Sequence, residues 1–175
     1  KAREIYEDYQ FYDRDVTLYP AKDLIFYQAD IHGNQLVTDR MKALRKIIEG
    51  KPLTVITTFA ALMSPQVPLE EIAASVIHID GDSRLDEGSL ARSLTQMGYE
   101  KNYQVDAPGQ FSIRGGIIDI FDLTEENPYR IELWGEEVES IRSFDLLSQR
   151  SVEKLANVDI YPATEMMLSG QQKEE

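Results

Sequence analysis

Apolar positions in the first seventy residues alternate between the spacing of helices and that of buried strands. Arg3 to Phe11 carries the end of a helical pattern, and Val16-Thr17-Leu18-Tyr19 is a short strand stopped by Pro20. From Gln35 to Glu49, Leu36, Val37, Met41, Leu44, Ile47 and Ile48 recur at helical spacing, and Gly50 and Pro52 close the element. Leu53-Thr54-Val55-Ile56-Thr57 is almost continuously apolar and β-branched, the pattern of a strand buried on both faces of a parallel sheet. A short helix over Phe59–Met63 follows. The spacing therefore predicts an α/β layer, with a boundary near Pro65–Glu71.

The second half changes rhythm. Val76–Ile79 predicts a strand, and Asp86–Met97 a helix with Leu90, Leu94 and Met97 on one face and Gly98 past its end. Strands are then expected at Gln110–Arg114, Gly116–Asp122, Tyr129–Trp134 and Val138–Phe144, separated by Gly, Asn-Pro and Gly-Glu turns. Val152–Ile160 is expected as one further strand. The fold class is α/β plus α+β: a truncated parallel layer over 1–71, an α+β domain with an antiparallel sheet over 72–165, and a disordered tail over 166–175.

Charge narrows the function classes. Eighteen basic against thirty-one acidic side chains give −13, of which residues 81–175 carry −10. Such a field repels phosphate backbones and disfavours a stand-alone nucleic-acid binder. No apolar run reaches the ~20 residues of a membrane span. The start, Lys1-Ala2-Arg3-Glu4, has no apolar signal region or initiator Met and reads as part of a longer chain. The absence of cysteine excludes thiolate catalysis and disulfides and fits a reducing cytoplasm.

Catalytic motifs are missing. The Gly50-Lys51 pair is followed by Pro52 and has Arg45 where a phosphate loop needs glycine. His32 lies in a turn-like stretch, and His78, inside an apolar strand, is expected to be half-buried and hydrogen-bonded. The acidic pairs Glu125-Glu126 and Glu136-Glu137 read as solvated turns. Asp119 alternates into an apolar strand and asks for a partner, which an arginine across the sheet would satisfy with no catalysis implied.

Two stretches carry more. Alternation puts Phe111 and Ile113 on one strand face and Ser112 and Arg114 on the other; it likewise sets Tyr129, Ile131 and Leu133 opposite Arg130, Glu132 and Trp134. The outer face thus displays arginines, an acid and an aromatic. Pattern alone favours an ordinary solvated face with cross-strand ion pairs; the competing reading is a docking face, since Arg and Trp are enriched at interface hot spots.

The run Phe111-Ser112-Ile113-Arg114-Gly115-Gly116-Ile117-Ile118-Asp119-Ile120-Phe121, followed by Arg130-Ile131-Glu132-Leu133-Trp134 and Glu136–Asp145, resembles the UvrB-homology module of bacterial transcription-repair coupling factors, Mfd. Ser148-Gln149-Arg150-Ser151, Tyr161-Pro162-Ala163, Leu18–Asp23 and Asp39-Arg40-Met41 are similar to it as well. UvrB itself inserts a Tyr-rich hairpin after the first strand. The stretch Asp23–Asp30 has no tyrosine cluster and no room for one, which separates this chain from the alternative, a UvrB fragment with a DNA-dependent ATPase and damage-verification role.

The resemblance implies a non-catalytic module that docks on UvrA and recruits nucleotide-excision repair to stalled RNA polymerase. Its first part would be a helicase-like layer without ATPase function. No cofactor is implied in this segment; ATP, RNA polymerase and DNA would engage other domains of a translocase. Cytoplasmic location and a monomeric state are expected, with no membrane contact. Carried over by position, the UvrA contacts are Lys101, Ser112, Arg114, Arg130 and Glu132. Lys101 stands where an arginine is usual and lacks its bidentate fork. Ser112 lacks the charge, which implies a weaker or rearranged interface. Two other classes remain: a helicase or nuclease fragment turning over ATP, and a DNA-binding module using Lys42, Arg45 and Lys46.

Overall fold

Two stretches whose residues alternate helix and strand spacing build the first unit. In the computed structural model, which describes residues 1–22 and 32–165, the chain divides into compact units at Lys1–Ala73 and from Ala74 onward. The segment whose length separates this chain from UvrB, and the expected tail over 166–175, lie outside the described residues.

The first unit contains α1 (Ala2–Tyr9), β1 (Val16–Tyr19), α2 (His32–Ile48), β2 (Thr54–Thr57), α3 (Phe59–Met63) and α4 (Leu69–Ala74). β1 and β2 pair in parallel, Val16 opposite Thr54 through Tyr19 opposite Thr57, and parallel neighbours require the crossover that α2 supplies. All of β1 is buried, as are Met41, Ala43 and Leu44 of α2. Arg40 is buried too: its guanidinium donates to the Pro20 carbonyl at 2.5 Å and to the Tyr19 hydroxyl, and lies 4.1 Å from the Tyr19 ring centre. Such stacking on an aromatic face suits a buried guanidinium.

β2 departs from expectation. It pairs in parallel, yet Val55 is exposed and its other residues are half-buried, because β1 is its only strand neighbour among the described residues. The helix α4 is absent from the sequence reading; six residues are too few to display a helical period.

In the second unit, β3 (Ile77–Asp80) pairs antiparallel with β10 (Asn157–Ile160). The six-stranded sheet runs β4 (Glu100–Lys101), β5 (Gln110–Arg114), β6 (Ile117–Ile120), β7 (Tyr129–Trp134), β8 (Glu137–Phe144) and β9 (Ser151–Lys154). β4 is parallel to β5 and every other pair is antiparallel. Helix α5 (Glu87–Gln96) starts at Asp86, whose carboxylate accepts from the Ser89 amide at 2.7 Å, a standard N-cap. Its Leu90 and Leu94, with Met97, pack in one cluster with Phe111, Ile118, Ile120, Tyr129, Ile131 and Ile141. The unit is therefore α+β. No helix among the described residues is long and apolar enough to cross a membrane.

Val152–Ile160 is two strands in two sheets, not one. The Leu155 amide donates to the Ile141 carbonyl at 2.9 Å and its side chain packs against the core, so the chain leaves β8 there and Val158 and Ile160 of β10 become the buried positions. β4, two residues long, is too short to show alternation.

His78 is exposed, not half-buried. Its Nδ1 lies 2.6 Å from the carboxylate of Asp159, its cross-strand partner, and its Nε2 lies 3.7 Å from Asp80. The Asp159 hydrogen bond, with the charges of Asp159 and Asp80, raises its pKa above the ordinary 6.5. A raised folded-state value means that folding favours the proton. The pair therefore stabilises fully below pH 6.5 and its contribution disappears as pH rises through the folded-state value. Thermal melts across this window should show the wild type losing stability relative to His78→Gln as pH rises; parallel profiles for the two proteins would contradict the assignment.

Candidate functional site

The β5–β6 hairpin positions the first functional side chain. Gly115 and Gly116 take positive φ of 56° and 83°, which a two-residue hairpin turn of this hand requires. A Cβ on Gly116 would stand 3.1 Å from the Leu133 carbonyl oxygen, so the turn also needs a bare backbone. The Gly116 amide donates to Glu87 Oε1 at 3.0 Å, and the Leu133 amide donates to the Gly116 carbonyl at 2.7 Å. α5 and β7 thus fix the hairpin tip, and Arg114 at the end of β5 with it.

Strand register assembles the rest. One cross-strand row runs Ser112, Asp119, Arg130, Arg142, Lys154; the next runs Arg114, Ile117, Glu132, Ser140. Asp119, only 1% exposed, receives Arg130 Nε at 2.7 Å and Nη2 at 2.9 Å, a bidentate pair, and Arg114 Nη2 at 3.3 Å. The cross-strand arginine that would satisfy Asp119 is thus present, and a second arginine joins it. Arg130 also donates to Gln149 Oε1 at 2.9 Å and lies 4.1 Å from the Phe144 ring centre. Gln149 has a φ of 58°, uncommon for a residue with a side chain. The Asp119 hydrogen bond raises the Arg130 pKa further, so the guanidinium is permanently charged.

Diagonally across β7 and β8, Arg142 grips Glu132 with Nη2–Oε1 at 2.6 Å and Nη1–Oε2 at 3.0 Å, while the Ser140 hydroxyl donates to Oε2 at 2.7 Å. These hydrogen bonds, Arg142 first, hold the Glu132 carboxyl below its ordinary 4.5.

The outer face is less open than alternation implies. Ser112 is 0% exposed and cannot touch a partner in this conformation. Arg130 is 14% exposed and is committed to Asp119. Phe121 and Phe144, in phase with Asp119 and Arg142, are buried on this side, so the face is partly covered. Glu132 is half-buried in its ion pair. Arg114 remains 35% exposed, with its guanidinium 5.5 Å from the ring centre of the exposed Tyr103. Lys101 is exposed on the edge strand and makes no ion pair among the described residues; Trp134 is 80% exposed. Tyr103 and Arg142 join the site although the sequence reading passes over them. Arg142 had a signal, sharing the phase of Phe144; Tyr103 lies in a loop and had none.

The Ser112 hydroxyl has no hydrogen-bond partner although it is fully buried. An orphaned buried hydroxyl costs about 1–3 kcal/mol. Ser112→Ala is therefore expected to hold or raise stability, by up to about 1 kcal/mol, and to leave any docking by this face unchanged. A lower urea midpoint for the variant would show that the hydroxyl is satisfied.

Among the described residues, no three His, Cys, Asp or Glu side chains are placed to hold a metal. What the face offers is a fixed array of guanidinium groups, one partly free, beside exposed aromatics, which suits contact with an acidic protein surface. Residues 77–166 match the family described as the UvrB interaction domain. The chain is similar to the transcription-repair-coupling factor of Bacillus subtilis strain 168, 40% identical over 161 residues, covering 92% of this chain and 14% of that protein. The Myxococcus xanthus transcription-repair-coupling factor is 34% identical over 151 residues, 86% of this chain and 13% of its own length. That of Staphylococcus aureus strain MRSA252 is 33% identical over 161 residues, 91% and 14% respectively. The chain thus spans about a seventh of the length of these relatives.

Proposed function

The chain belongs to the UvrB interaction domain family, in the form carried by transcription-repair-coupling factors, and on that premise we propose that it is a non-catalytic module that docks on UvrA. Docking recruits nucleotide-excision repair to a stalled RNA polymerase. The observation that carries the reading is the family match over 77–166, the stretch that builds the six-stranded sheet and its arginine array. Residues 72–165 act as the UvrA-binding domain. Residues 1–71 act as a helicase-like layer, a parallel βαβ unit with no ATPase function, which the missing Gly-Lys-Ser/Thr loop supports.

Arg114 and Lys101 make direct contacts, Arg130 and Glu132 hold the face in shape, and Ser112 contributes no contact. This segment uses no cofactor and acts as a monomer in the cytoplasm; ATP, DNA and RNA polymerase are engaged elsewhere in the longer protein. Gel filtration of the chain mixed with purified UvrA tests the reading: a co-eluting complex is expected, and separate elution of two folded proteins contradicts it.

A further inference from the structure

Half of the second unit's basic side chains share one side of one sheet. Residues 74–165 hold eight basic and eighteen acidic side chains, a net of −10. The two cross-strand rows described above take four of those cations, Arg114, Arg130, Arg142 and Lys154, and only two of the acids, Asp119 and Glu132. The rows carry +2 and the remainder of the unit −12. On so acidic a unit, this island attracts an acidic partner surface, whereas the remainder, by its net charge, repels it.

Arg114 occupies one end of the island; Lys101, in register with Phe111 on the edge strand, lies outside both rows. At the other end lies a concavity of about 410 Å³ lined by Glu132, Glu139, Ser140, Arg142, Ser151 and Lys154. Arg142 is held in a bidentate pair by Glu132. Lys154 is exposed and makes no ion pair among the described residues, so its ammonium is available. Glu139 is also exposed; the bulge between β7 and β8 skips it, setting Ser140 opposite Glu132 and Val138 opposite Leu133.

We propose that the docking face continues along the Asp119–Arg130–Arg142 row into this groove, where Lys154 receives an acidic side chain of the partner protein. The inference rests on the docking reading above. An exposed lysine contributes through a screened charge, so its effect shrinks as salt rises. Glu139, across the same groove, opposes the same occupant.

Calorimetric titration of the whole chain with UvrA, at about 50 and about 300 mM NaCl, separates the possibilities. Lys154→Met should weaken binding about five-fold at the lower salt and less than about two-fold at the higher, while Glu139→Gln should tighten it about two-fold. Unchanged affinity for Lys154→Met, with Arg114→Gln still losing binding, would overturn the groove and leave the docking face standing. Opposite signs, tightening for Lys154→Met and weakening for Glu139→Gln, would mean a basic occupant and overturn the proposal. A wild-type chain that does not bind UvrA would remove the docking reading itself. Melting curves of both variants, at exposed positions, check that the fold is kept.

Discussion

Arg130→Ala should lower the stability of the second unit by about 3–5 kcal/mol, which for a domain of this size means a melting temperature about 10 °C or more lower. The change strips Asp119, 1% exposed, of its bidentate partner and leaves only the Arg114 contact at 3.3 Å. A buried carboxylate with two of its three hydrogen bonds gone costs far more than the pair itself contributes when intact. The packing of the guanidinium on Phe144 and its bond to Gln149 disappear as well. Arg130→Lys keeps the charge but not the planar fork, so it should recover only part of the loss. Chemical denaturation of the two variants measures this. An Arg130→Ala protein as stable as wild type would mean that Asp119 finds its partners elsewhere. The consequence for function is that lost binding in an Arg130 variant reports unfolding as much as docking.

Arg114 is the cleaner probe. Arg114→Gln should weaken UvrA binding by about 2 kcal/mol or more, roughly thirty-fold, while stability stays within about 1 kcal/mol of wild type. The side chain is 35% exposed and donates the longest of the three bonds to Asp119, which keeps its bidentate Arg130 pair in the variant. Glutamine is the right replacement; a glutamate would face the buried Asp119 carboxylate and destabilise the sheet by repulsion. Because the chain carries −13, Lys51→Gln, at an exposed site in the first unit, serves as the control for bulk charge. Equal weakening by both variants would place the effect in net charge and not in the Arg114 face.

Much of this arrangement was legible. Turn residues and period-two alternation located the meander, and Gln110–Arg114 and Tyr129–Trp134 coincide with β5 and β7 residue for residue. Asp119 stood out because a carboxylate alternating into an apolar strand needs a hydrogen-bonding partner, and a cross-strand arginine supplies one. Alternation failed on depth. It assigns Ser112 to the face opposite Phe111 correctly but treats that face as solvent, whereas Ser112 is 0% exposed. The overlooked signal was Phe121 and Phe144, two large apolar residues in the polar phase, which mark a face that is partly buried. The Glu132–Arg142 pair was hidden because it is diagonal and depends on register, which hydrophobic pattern does not supply. In the first unit β2 showed the reverse error: its β-branched run looks buried on two faces, but burial depends on which strands flank it.

Titration of purified UvrA with the wild-type chain at about physiological salt tests the central claim most directly. The account predicts saturable binding of about one chain per UvrA protomer at about micromolar affinity or tighter, lost in Arg114→Gln and kept in Lys51→Gln. A folded wild-type chain that gives no saturable heat at concentrations up to about 100 μM would contradict it.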